Sequence, residues 1–126
     1  MPHVLLIGYA PDAVDYSDPA LPSGIDAEKI AAGIDVGLKQ MRAKGWQADF
    51  CAIRPDDTIR KTIGQQLASA QYDCIVIGGG VRMSSRHLNQ FEAVINAVRE
   101  SAPSVPIAFN TRPEDSAEAA ARWLIA

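Results

Sequence analysis

The segment best equipped to hold a small anion is Gly78-Gly79-Gly80-Val81-Arg82-Met83-Ser84-Ser85. Glycines let the main chain approach a ligand closely, and a helix opening after a strand offers unpaired amides and the positive end of its dipole. Arg82 adds a permanent positive charge with two parallel donors. Phosphate, sulfate or carboxylate would suit such a turn. The competing reading is a tight turn whose serines cap the helix and whose arginine pairs with an acid elsewhere. Asn110-Thr111-Arg112 supplies an amide that can donate and accept, and a further guanidinium. Thr111 through Glu114 match a capping box, so Thr111 reads as a helix cap. A third set, Asp12, Asp15, Tyr16, Ser17 and Asp18, brings acids and hydroxyls together on a segment stiffened by Pro11, Pro19 and Pro22. The candidate ligand-binding residues are therefore Gly79, Gly80, Arg82, Ser84, Asn110, Arg112 and Ser17. For proton transfer the candidates are His87 and Asp15, though a histidine in a first helical turn reads first as an ordinary surface residue.

These sets need a scaffold that gathers them, and the hydrophobic pattern describes one. Val4 to Gly8 is a continuous apolar run, as in a strand covered on both faces. After a loop from Tyr9 to about Gly24, Ile30, Ile34, Leu38 and Met41 recur at helical spacing until Gly45. Gly33 and Gly37 beside that stripe cost helix propensity, which points to close packing on the sheet. A second strand, Gln47 to Ile53, precedes a helix carrying Ile59, Ile63 and Leu67. The third strand, Cys74 to Ile77, is again wholly apolar. Its helix begins near Ser84 or Ser85, shows Leu88, Phe91, Ile95 and Val98 on one face, and ends at Pro103. Val105 to Phe109 contains Pro106, which marks an edge strand. Ala117, Ala120, Ala121 and Leu124 form the face of a final helix.

Strands alternating with helices imply a three-layer αβα domain with a parallel sheet and right-handed crossovers. Continuous apolar strands belong at the centre and flawed ones at the edges, which gives the order 2-1-3-4, a flavodoxin-like, Rossmann-like arrangement. Ligands of such sheets bind beyond the carboxyl ends of the strands, where the strand order reverses. All three chemical sets fall at that edge. The first loop is far longer than the usual two to six or so residues of a βα connection, so it reads as a lid, or else as a fixed cover or subunit contact. Its Asp15 or Asp18 could pair with Arg82 or Arg112 and close the site until an anion competes.

The net charge of −3 and the absence of a basic stripe argue against nucleic acid. No apolar run is long enough to cross a bilayer, and the first residues do not resemble a signal peptide. Cys51 and Cys74 sit within apolar runs and read as small core residues of a cytoplasmic protein. No metal is expected: Asp12, Asp15 and Asp18 could cup a cation only from a helix that the prolines disfavour. The turn after the first strand, Gly8-Tyr9-Ala10-Pro11, lacks the second and third glycines of a dinucleotide fingerprint. Arg54 alone keeps an NADP-type reading open. There is no P-loop and no Gly-x-Ser-x-Gly elbow, and the receiver-domain acids are missing from the ends of strands one and three.

Asp15-Tyr16-Ser17-Asp18-Pro19, Asp73-Cys74-Ile75-Val76-Ile77-Gly78-Gly79-Gly80 with Val81-Arg82, and Phe109-Asn110-Thr111 together resemble a family of small uncharacterised bacterial α/β proteins. The resemblance spans the whole chain and implies a flavodoxin-like fold; it implies no activity, cofactor or catalytic residue. The sequence thus leads to a single domain, residues 1–126, binding a small anionic molecule, with a non-enzymatic homo-oligomeric module as the alternative. Trp46, Tyr72 and Trp123 are the aromatic anchors such a module would need.

Overall fold

Val4, Leu5, Leu6 and Ile7 present no polar side chain to water, and the structure buries all four at the centre of a sheet. It is a computed structural model and describes residues 1–124. The strands are β1 (His3–Tyr9), β2 (Gln47–Ile53), β3 (Cys74–Ile77) and β4 (Ile107–Phe109). The helices are α1 (Ala27–Ala43), α2 (Ile59–Ser69), α3 (Gly79–Arg82), α4 (Leu88–Ser101) and α5 (Ser116–Ala121). All strand pairs are parallel and the order is β2-β1-β3-β4, as the apolar pattern requires. β1 runs beside β2 from His3↔Gln47 to Tyr9↔Ile53 and beside β3 from Val4↔Cys74 to Ile7↔Ile77.

Because side chains alternate along a strand, each face collects its own core. Leu5, Ile7, Cys51, Ile53, Ile75 and Ile77 meet Ile59 and Ile63 of α2 and Val94 and Val98 of α4. Val4, Leu6, Ala48, Cys74 and Val76 meet Met41 of α1 and the alanines of α5. Three layers result. Both cysteines are buried and unpaired, and burial pushes each thiol up to about 11. No described helix is long and apolar enough to cross a membrane.

β4 begins at Ile107, shorter than the expected Val105–Phe109, although the Pro106 carbonyl just outside it still accepts from Ile75 N of β3 at 3.0 Å. At the opposite end of the sheet, Asp49 accepts from Tyr72 Oη at 2.8 Å and lies 2.6 Å from His3 Nε2. Net of burial, those two hydrogen bonds hold its carboxyl below the usual range.

Several local expectations are corrected. The chain turns helical at Gly79, not Ser84, and α4 begins only at Leu88, whose side chain is 67% exposed. Of the expected face only Leu88 turns outward: Val98 is buried with Val94 and Ala97, and Phe91 and Ile95 pack, partly buried, against the same core. In α5 the buried alanines are Ala117, Ala119 and Ala120, while Ala121 faces out. The box ahead of it runs one residue later than expected, from Arg112 to Asp115 instead of from Thr111 to Glu114, and Thr111 N, Thr111 Oγ1 and Arg112 N all donate to the Asp115 carboxylate. Gly33 and Gly37 admit the turn before α5 rather than the sheet. A Cβ on Gly33 would meet the Glu114 carboxylate, and one on Gly37 would overlap the Pro113 carbonyl oxygen.

The second contact sets a test. Gly37→Ala gains about 1 kcal/mol of helix propensity. It must nevertheless drive backbone from backbone, and overpacking of this kind costs about 1–3 kcal/mol. A net loss is expected in urea unfolding; an unchanged or raised midpoint would show that α1 and the Pro113 turn can part freely.

Candidate functional site

β1 and β3 end side by side, but their chains leave toward different faces, opening the crevice where ligands of such sheets sit. The structure has a cavity of about 340 Å³ there, in the range of small-molecule sites. Its base is Leu6, Gly8 and Phe50, its side wall Ile30, Gly33 and Ile34 of α1, and its cover Val14, Leu21 and Ile25 of the first loop. Gly78 to Val81, Met83 and Ser84 close it on one side and Asn110 to Glu114 on another. Apolar side chains dominate. Tyr9, buried to 7% exposure, also lines it; its hydroxyl has no hydrogen-bond partner among the described residues, and burial raises its pKa.

The first loop is fastened over this space. Asp18, 6% exposed, accepts from Ala20 N at 2.9 Å, Ser84 Oγ at 3.0 Å, Ser85 N at 3.0 Å and Ser85 Oγ at 2.5 Å. The Ser85 and Ala20 bonds lead in holding its pKa far below the usual carboxylate range. Arg86 Nη1 reaches Asp15 Oδ2 at 3.1 Å and Ser17 Oγ at 2.8 Å. Ser17 Oγ also donates to Asp15, the leading cause of that acid's lowered pKa. His87 Nε2 stands 3.8 Å from Asp15 Oδ2, so the two proton-handling candidates do meet. Asp12 pairs with Arg54 at 3.0 Å. The three loop aspartates thus turn to three different partners, and Arg54 is already engaged.

Of the candidate ligand residues, Gly79, Gly80, Ser84, Asn110 and Arg112 line the cavity, while Arg82 and Ser17 do not. Arg82 donates to the Asn110 carbonyl at 3.1 Å, and its guanidinium lies over the Phe109 ring, 5.7 Å from the centroid. Asn110 is buried with its amide spent: Gly79 N donates to Oδ1 at 2.7 Å, and Nδ2 donates to Ser116 Oγ at 2.9 Å. Gly80 is exposed, with nothing within 4 Å of where a Cβ would stand. Arg112 is exposed and makes no ion pair among the described residues.

The lid acids therefore do not pair with Arg82 or Arg112, as charge placement suggested; Arg86 takes Asp15, and two serines take Asp18. Sequence reasoning passed over Arg86 because starting the helix at Ser84 made it a helix residue with no set direction. It also missed Glu114 and Lys29 on the cavity wall. The signal for Glu114 was Gly33, a glycine inside a helix with no turn to explain it. Of the aromatic anchors, Tyr72 is buried, Trp46 half-buried and only Trp123 is exposed, at 53%. No protein-family model, curated protein or solved structure matches the chain.

Proposed function

We propose that this domain binds a small molecule with an apolar body and an anionic group at the carboxyl edge of its sheet, beneath a lid formed by residues 9–24. The observation that carries the reading is the cavity itself: apolar walls, a crevice position and free Arg112 at its rim. The anion meets Arg112 and the open main chain at Gly80, while the apolar body lies against Leu6, Ile34 and Phe50. Arg82 and Asn110 act one step back, bracing the Gly78–Gly80 turn. Ser17 and Ser84 fasten the lid. Asp15 with His87 is the pair best placed to move a proton. Two buried free thiols accord with a cytoplasmic protein of flavodoxin-like build. A homo-oligomeric module is the weaker reading, since of the three aromatic anchors it would use only Trp123 is exposed.

Calorimetric titration with a panel of carboxylates, phosphorylated metabolites and nucleotides tests this. Arg112→Gln is expected to weaken the best wild-type ligand by about tenfold to a hundredfold, the usual worth of a charge-assisted bond. Arg82→Gln should cost less. Silence across the panel overturns the reading. Binding lost with Arg82→Gln but untouched by Arg112→Gln would put the anion at Arg82 instead.

A further inference from the structure

Most charged side chains around the cavity are held by hydrogen bonds to other parts of the fold. Asp15 and Asp18 hold the lid, and Lys29 Nζ donates to the Gly24 carbonyl at 2.7 Å. Two are not. Arg112 and Glu114, two residues apart on the turn before α5, both line the cavity, and neither side chain is ion-paired among the described residues. Nor does any hydrogen bond engage the Glu114 carboxylate among those residues.

The position of that carboxylate is specified by a glycine. Its Oε1 lies 3.1 Å and its Oε2 3.4 Å from where a Cβ on Gly33 would stand. Gly33 is buried in the middle of α1, where glycine costs about 1 kcal/mol against alanine. A Cβ there would press on the carboxylate more tightly than side chains normally pack, so the carboxylate, which rests against the helix and on the cavity wall, would have to shift by a few tenths of an ångström. An unpaired acid on the same cavity wall as Arg112 disfavours a ligand that brings negative charge alone. It favours one that carries a positive donor next to its anionic group. Behind this pair of opposite charges the walls are Leu6, Ile30, Ile34 and Phe50.

Resting on the small-molecule reading above, we propose that the ligand is zwitterionic and apolar: an α-amino acid with an aliphatic or aromatic side chain, or a compound of that chemistry. Its carboxylate pairs with Arg112, its ammonium with Glu114, and its side chain enters the apolar cavity. A volume of about 340 Å³ admits even an aromatic amino acid.

Titrate the whole chain with L-phenylalanine, L-leucine, 3-phenylpropionate (no ammonium) and 2-phenylethylamine (no carboxylate). One of the two amino acids should bind, and removing either head group should weaken binding about tenfold or more. Glu114→Gln should erase the preference for phenylalanine over phenylpropionate without weakening phenylpropionate. Gly33→Ala should act in the same direction by displacing the carboxylate, and it meets only the movable end of a side chain, so the fold should survive. If phenylpropionate, or any anion lacking an amine, binds wild type at least as tightly as the amino acids, the zwitterion is overturned while the anion cavity stands. If nothing in either panel binds more tightly than about 1 mM, both fall together.

Discussion

Asn110→Ala is expected to lower the stability of the domain by about 2–4 kcal/mol, because each orphaned buried polar group costs about 1–3 kcal/mol. Asn110 is 2% exposed, and its amide joins the end of β4 to the starts of α3 and α5. Oδ1 receives Gly79 N, the first amide of α3, and Nδ2 reaches Ser116 Oγ, which in turn donates to the Pro113 carbonyl. Truncation strands the Gly79 amide and takes the incoming donor from Ser116. The turn lining the cavity should loosen with the fold, so ligand affinity and urea midpoint should fall together. Asn110→Asp separates the two halves of the argument. Its carboxylate keeps an acceptor for Gly79, but when ionised it has no donor for Ser116 and is a buried charge. Burial raises the folded pKa of such a group, so its relative stability is greatest at acid pH and is lost as pH rises through that value. An alanine variant as stable as wild type, or an aspartate variant that improves with rising pH, would remove Asn110 from its bracing role.

The fold was legible because its signals are local. Four buried residues in a row in both β1 and β3 mark the central strands, and a proline beside β4 marks an edge; strand order follows. The position of the site was legible for the same reason, since the carboxyl edge of a parallel sheet is fixed once the strands are placed. Which arginine faces the cavity was not. Arg82 and Arg112 both follow strand ends, and the choice between them depends on the phase of a four-residue helix that no capping signal announces. Ser84 and Ser85 have the chemistry of helix caps, yet they spend it on Asp18, more than sixty residues away in sequence. Gly33 and Gly37 announced a close approach, and the sheet was the wrong neighbour to expect. The partner proved to be the turn at 113–114, because α1 and α5 share one face of the sheet.

Asp18→Ala is expected to free the lid while leaving the sheet intact. The four hydrogen bonds that Asp18 accepts include every direct bond between it and the Ser84–Ser85 turn. What remains across that junction is the contact of Arg86 with Asp15 and Ser17 at the surface, and such exposed polar pairs contribute little. Amide exchange across residues 9–24 should accelerate by about tenfold or more, as it does where local opening no longer has to break a buried cluster. Exchange in β1 and β3 should not change. The pH dependence has a definite sign. Asp18's folded pKa lies well below its unfolded value, so its contribution is present above the unfolded pKa, near about 4, and is lost as pH falls through the folded one. In the wild type the lid should therefore stay protected at neutral pH and begin to loosen only below about pH 4. In Asp18→Ala it should be equally loose across that whole range. Should the variant's lid remain as protected as wild type at neutral pH, the apolar contacts of Val14, Leu21 and Ile25 would be holding it, and the cover would be a fixed wall of the cavity instead of a gate.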